Sequence, residues 1–191
     1  MGEQLRALRR QNGWSLAEVS KRTGVSVSAL SKAENGKMSL TYEKLAALSG
    51  GLGVDIGYFF SGPPAPTEPN GGTRRSVDRH GTGRLVNTPN YVHFYLNAEL
   101  LQKKLVPIEI EVLARTLEEF GALGRHEGEE CLYVLEGEIV LCTEHYEPVR
   151  LAKGDSIYID SGMGHAYLKG CDGPCRALVV SSAPRPDRTA H

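Results

Sequence analysis

Between Gly62 and Gly72 the chain places four prolines and three glycines in eleven residues, Gly62-Pro63-Pro64-Ala65-Pro66-Thr67-Glu68-Pro69-Asn70-Gly71-Gly72. Each proline fixes φ and removes a backbone donor, so neither a helix nor a sheet ladder can run through the stretch. What folds on either side folds around its own core. The layout is therefore residues 1–60, a Pro/Gly/Arg-rich linker over 61–89, a second domain over 90–185 and a disordered tail at 186–191. At 40% hydrophobic residues in 191, the chain carries enough apolar material to build substantial cores.

The net charge of −1 excludes a protein that coats nucleic acid by charge alone. Its distribution is uneven: residues 1–60 carry eight bases against five acids, whereas residues 90–191 carry ten against sixteen. A basic front and an acidic back suggest different partners for the two halves. No apolar run approaches the roughly 20 residues that span a bilayer, and no signal-peptide core is present. Met1-Gly2 is followed by Arg6 where myristoylation needs Ser or Thr. A cytoplasmic protein with no membrane partner is expected, its four cysteines reduced.

The front half has helical periods. Leu5 and Leu8 form an apolar stripe, Ser15 is placed to cap a segment that Gly24 stops, and Ser26 caps the next, with Ala29, Leu30 and Ala33 inward. Thr41 opens a fourth segment with Leu45 and Leu48 inward, and Asp55 opens a last turn ending at Phe59-Phe60. Across Leu16–Gly36 this is the spacing of two helices crossing at a tight turn: Ser20 is small at the approach, Gly24 can take positive φ, and Val25 and Leu30 fill the gap. The second helix then turns Ser28, Ser31 and Lys32 outward toward a major groove, and Ser26 with the helix N-terminus meets a phosphate. A helical bundle whose serines and lysines are only solvated surface is the plain alternative.

Gly24-Val25-Ser26, Leu30-Ser31 and Glu34-Asn35-Gly36 resemble the helix-turn-helix domain of the XRE (Cro/C1) repressor family over residues 3–60. The resemblance implies a five-helix, lambda repressor-like domain on double-stranded DNA, which would dock on a half-site through Ser26, Ser28, Ser31 and Lys32, with Lys37 and Arg9 as phosphate contacts. Two positions depart from the pattern: Leu16 stands where many members carry Gln, and Ser20 replaces Ala. One recognition helix reads only a few base pairs, so a homodimer on a two-fold site is expected.

The back half is written in short β-branched or aromatic runs: Tyr91–Leu96, Ile108–Arg115, Cys131–Leu135, Glu138–Thr143, Val149–Leu151, Ser156–Asp160, Ala166–Lys169 and Ala177–Ser181. With no helices between them, an antiparallel barrel or sandwich follows. His126 and Glu130 are evenly spaced, so an extended segment turns both to one face, and a strand returning with His165 can add a third donor. Two imidazoles and a carboxylate suit a single Fe(II), Zn, Ni or Mn ion; a hydrogen-bonded polar cluster without metal is the other reading.

These residues resemble the two motifs of the cupin family, an all-β double-stranded β-helix or jelly roll. His126, Glu130 and Gly137 match the first motif, and Gly154, Gly162 and His165 the second. Gly124 stands at the first histidine position, Asp160 at the proline and Lys169 at the asparagine. The multidomain combination resembles bacterial effector-responsive transcription regulators, which implies a small-molecule pocket; Tyr133, Tyr158, Tyr167 and Arg125 are its candidates. It also resembles hydroxypropylphosphonate epoxidase, so a non-haem metal-dependent oxygenase is the rival reading, with Lys169 as a further loose candidate, and an inert dimerisation barrel the third. Cys171-Asp172-Gly173-Pro174-Cys175 is read as a turn rather than a metal hook or disulfide, and Cys131 and Cys142 as small core residues. His80, His93, His145 and His191 match no ligand spacing, and Arg74, Arg75, Arg79 and Arg84 read as a solvated run.

Overall fold

Local capping chemistry shapes the front domain in the computed structural model, which describes residues 1–61 and 74–182. Residues 62–73 of the expected linker and the expected tail at 186–191 lie outside the described residues. The Ser15 hydroxyl accepts the Glu18 amide (3.1 Å) and the Glu18 carboxylate accepts the Ser15 amide (2.6 Å), a reciprocal box that starts α2 (Leu16–Thr23). Gly24 at φ +71° ends it in the left-handed region. Ser26 accepts the Ala29 amide and starts α3 (Val27–Glu34); Asn35 caps its end and Gly36 follows at φ +68°, its amide on the Ala33 carbonyl (3.0 Å) and the Lys37 amide on that of Lys32 (2.8 Å). With α1 (Gly2–Gln11), α4 (Tyr42–Leu52) and α5 (Tyr58–Ser61), these helices enclose Leu5, Val19, Leu30, Leu45, Leu48 and Phe59, all fully buried. A Cβ at Gly51 of α4 would lie 2.4 Å from the Arg22 carbonyl, so α4 meets the end of α2 only because that side chain is absent.

The second domain is antiparallel throughout its assigned pairings. Its strands are β1 (Arg84–Asn87), β2 (Tyr91–Tyr95), β3 (Leu105–Val112), β4 (Glu129–Glu136), β5 (Glu138–Thr143), β6 (Val149–Ala152), β7 (Ser156–Asp160), β8 (His165–Lys169) and β9 (Arg176–Ser182). One sheet has the order β1-β2-β3-β9-β4-β7 and the other β6-β5-β8. Period-two alternation turns Ile108, Ile110, Leu132, Val134, Ala177 and Val179 inward. This is the expected β-rich cupin architecture.

Two elements were not expected. β1 falls inside residues 61–89, where its pairing with β2 recruits a short polar run. A four-residue helix, α6 (Leu117–Phe120), interrupts the strands, and Phe120, Leu123 and Val140 pack on Ala114, Cys142, Ala166 and Leu168, covering the second face of β8. Backbone proximity groups residues 97–103 with the first unit rather than the second, and within that unit the Asp55 carboxylate accepts the Gln102 amide (2.9 Å). Among the described residues no helix is long and apolar enough to cross a membrane.

Candidate functional site

The strands bring His126, Glu130 and His165 together. Glu130 occupies an inward position of β4, opposite Ile159 and Ser181, and His165 opens β8, where its backbone exchanges two hydrogen bonds with Gly124 (3.0 Å each). The His126 amide donates to the Ser161 carbonyl (3.0 Å), which sets the segment leading into β4. All three side chains are buried, and one donor atom from each lies within 4.8 Å of the others. His126 Nε2 is 3.2 Å from Glu130 Oε2, and His165 Nε2 is 3.6 Å from Glu130 Oε1.

The partners around this cluster define its chemistry. His165 Nδ1 lies 2.8 Å from the Met163 carbonyl and His126 Nδ1 3.3 Å from that of Glu127. A carbonyl cannot donate, so each Nδ1 carries the hydrogen, and each Nε2 is turned toward Glu130. A carboxylate facing two Nε2 atoms calls for a cation among them, either a proton on a ring nitrogen or a metal ion. Burial alone would raise the Glu130 carboxyl, but the His126 hydrogen bond, the His165 charge and the Tyr167 hydroxyl hold it below the usual carboxylate range. Tyr167 donates to Glu130 Oε1 and Ser181 to Oε2 (3.3 Å). Burial, then the Glu130 charge, raises the Tyr167 phenol well above its ordinary value.

These residues fit a metal ion. Donors bound at about 2.1 Å and at right angles stand about 3.0 Å apart, so the observed 3.2 and 3.6 Å separations need only a small contraction. The Nδ1 bonds to main-chain carbonyls supply the outer support that orients ligating imidazoles. Gly124, lacking a side chain, contributes no fourth donor.

The expected pocket residues separate. Tyr167 is buried against Glu130, and Lys169 ends β8 partly buried. Tyr133 and Tyr158 occupy outward positions of β4 and β7 and are 46% and 63% exposed, because the alternation that buries Glu130, Leu132 and Ile159 turns them to the opposite face. Arg125 leaves the cluster and donates to Glu144 (2.7 Å); with the Gly164 amide it holds the Glu144 carboxyl down to about 2. Tyr91, His93 and Ser181 are buried in the same domain, outside the residues that motif spacing marks. The Tyr91 hydroxyl accepts the Tyr167 amide (2.9 Å), and His93 stacks with Tyr95. A polar residue at an inward strand position, as Ser181 is after Ala177 and Val179, was the available signal. Cys131, expected in the core, is exposed on β4; Cys142 is buried. His191 lies outside the described residues, while His80 and His145 are exposed.

In the front domain Ser26, Ser28 and Lys32 are exposed along α3, Ser31 is partly buried and Lys37 is exposed beyond it. Val27 adds an apolar surface, 45% exposed, at the first turn. Arg9, expected at a phosphate, directs its guanidinium to Glu34 (2.6 and 2.8 Å) and the Trp14 carbonyl (3.1 Å). Glu34 sits on the buried stripe of α3 and ties that helix to α1.

Comparison with known proteins agrees with this architecture. Residues 5–59 match the helix-turn-helix family and residues 118–181 the cupin domain family. The HTH-type transcriptional regulator PuuR of Escherichia coli (strain K12) is 29% identical over 185 residues, 93% of this chain and 91% of that protein. (S)-2-hydroxypropylphosphonic acid epoxidase of Streptomyces wedmorensis is 28% identical over 159 residues, 80% of this chain and 78% of the enzyme. A crystal structure of an HTH_3 family transcriptional regulator from Vibrio cholerae shares the fold at TM-score 0.64 and 22% identity, covering 96% of this chain and 95% of that one.

Proposed function

We propose that this chain, in which a helix-turn-helix domain precedes a cupin domain, is a sequence-specific DNA-binding transcription regulator whose cupin domain senses a small molecule at a single-metal centre. The observation that carries the reading is the surface of α3: Leu30, Ala33 and Glu34 are anchored inside while Ser26, Ser28 and Lys32 face solvent on a capped, rigid helix. Such a helix offers backbone amides and a hydroxyl to a phosphate at its start and short polar side chains to base edges along its length. Lys37 adds a phosphate contact. Arg9 serves as the brace that holds α3 in place. Two copies on a two-fold site supply the sequence length that one helix lacks.

His126, Glu130 and His165 would hold the metal, with Zn, Fe, Ni or Mn each compatible with two imidazoles and a carboxylate. A bound ion there supplies a Lewis-acid point for an oxygen or nitrogen of the effector. Glu130 brings negative charge, Tyr167 and Ser181 orient its two oxygens, and Gly124 holds His165 through backbone pairing. An effector that favours one of two arrangements of the protein shifts DNA affinity by its differential binding free energy, typically about 1–3 kcal/mol. The protein acts in the cytoplasm, where its target DNA lies.

Selection of genomic fragments with the full chain, followed by footprinting, tests the reading: a protected two-fold sequence is expected. Lys32→Ala should weaken that complex by about 1 kcal/mol or more with unchanged far-UV dichroism. Failure to retain any duplex at low salt would remove the regulator. Similarity to the epoxidase over 80% of this chain supports a second reading, metal-dependent oxidation in the cupin domain. Oxygen consumption by the Fe(II)-loaded protein with 2-hydroxyalkylphosphonates would favour it.

A further inference from the structure

The turn between β8 and β9 carries two thiols that neither reading above uses. Cys171 Sγ and Cys175 Sγ are 3.3 Å apart. Cys175 is fully buried while Cys171 is partly exposed. Both ends of the turn are pinned to neighbouring backbone: the Gly170 amide donates to the Glu138 carbonyl (2.9 Å) and the Cys175 carbonyl accepts the Val112 amide (2.8 Å). From the other side Gly137 presses in so closely that a Cβ there would lie 2.2 Å from the Pro174 carbonyl and 3.2 Å from Cys171 Sγ. The two sulfurs are thus held together where the β8–β9 turn packs against the β4–β5 turn and the end of β3.

We propose that Cys171 and Cys175 form a reversible redox pair, in which Cys171 is the peroxide-reactive thiol and Cys175 the resolving thiol. A disulfide needs the sulfurs at about 2.05 Å, a closure of roughly 1.2 Å that side-chain rotation can provide without moving the pinned ends. Partial exposure makes Cys171 the sulfur an oxidant reaches. Its thiol is held below the ordinary range by the Cys175 hydrogen bond and then by the Glu138 backbone, which favours the nucleophilic thiolate. Metal capture is the weaker use of the pair. Two sulfurs supply half of a tetrahedral thiolate site, and among the described residues the one group of three or more metal-ligating side chains is His126, Glu130 and His165.

The chemistry balances with hydrogen peroxide as oxidant. The Cys171 thiolate attacks one peroxide oxygen, the O–O bond breaks, and hydroxide leaves and takes up a proton as water, so Cys171 becomes a sulfenic acid. The Cys175 sulfur then attacks the Cys171 sulfur; the S–S bond forms, the S–O bond breaks, and the hydroxyl leaves with the Cys175 proton as a second water. Two thiols are oxidised and one peroxide is reduced. A dithiol such as dithiothreitol reverses the bond by exchange.

The full chain, reduced and then treated with a small excess of hydrogen peroxide, tests the assignment by intact mass, thiol alkylation and peptide mapping. The expected result is a loss of 2 Da, a fall from four alkylatable thiols to two, a cross-linked peptide joining Cys171 to Cys175, and full recovery with dithiothreitol. Cys175→Ser should trap the sulfenic acid on Cys171 as a dimedone adduct, whereas Cys171→Ser should lose this fast reaction by at least tenfold. Four thiols remaining after treatment, or oxidation directed first to exposed Cys131, overturns the pair. The measurement on the unaltered protein decides the matter even if a variant folds poorly.

Discussion

Glu34 is a carboxylate with 3% of its side chain exposed, held by Arg9 at 2.6 and 2.8 Å and by Arg6 at 3.4 Å. The Arg9 hydrogen bonds, working against burial, hold its carboxyl below the usual range. Its folded value is therefore lower than its unfolded one, so the stability it contributes is complete above about pH 4.3 and is lost as pH falls through the lower folded value. Glu34→Gln should cost about 1–3 kcal/mol at neutral pH by urea unfolding, with the difference from the unaltered protein shrinking in acid. At the cupin site, His126→Ala should abolish retention of one equivalent of divalent metal after desalting while the β-sheet dichroism persists. A variant that still retains one equivalent would leave the His126–Glu130–His165 cluster as a hydrogen-bonded polar group. Spacing was enough to single out His126, Glu130 and His165 in the sequence. The role of Arg9 was not legible there, because its partner lies 25 residues away and an exposed-looking arginine gives no sign of a buried acid.

The α2–turn–α3 element follows almost wholly from short-range chemistry. Ser15, Gly24 and Ser26 act within four residues of their partners, so their roles could be read directly. Ser15→Ala removes one half of the capping box and should cost about 1 kcal/mol of front-domain stability. Gly51→Ala places a Cβ against the Arg22 carbonyl, where backbone must shift, and should cost about 1–3 kcal/mol with lower DNA affinity through displaced α2. Both are measurable by thermal unfolding of the full chain. The eight expected strands recur with their ends moved by up to three residues, since alternation survives in each. β1 and α6 were missed for the same physical reason: four residues hold too little periodic signal, and both owe their place to neighbours, β1 to its ladder with β2 and α6 to the apolar outer face of β8.

For the whole molecule, the charge imbalance between the two halves sets the expected salt response. Residues 1–60 carry +3 and residues 90–191 carry −6, so duplex binding should fall steeply with added salt, log K declining linearly with log salt by about 0.9 for each phosphate neutralised. A flat salt profile would place DNA contact elsewhere than the basic front. Adding a divalent metal at about 100 times its dissociation constant should stabilise the cupin domain by about 2.7 kcal/mol, visible as a shift of its unfolding transition. Sequence by itself determined the two-domain order, the helix caps, the strand runs and the identity of the three metal-ligand candidates, because prolines, caps and alternation act over a few residues. Tertiary structure alone decided that Tyr133, Tyr158 and Arg125 face away from the cluster, that Arg9 braces rather than reaches outward, and that Cys171 and Cys175 nearly touch. The tyrosines and Arg125 depend on which strand pairs with which and in what register, Arg9 on the packing of α1 against α3, and the two thiols on the neighbouring backbone that presses on their turn; none of these leaves a local trace in the chain.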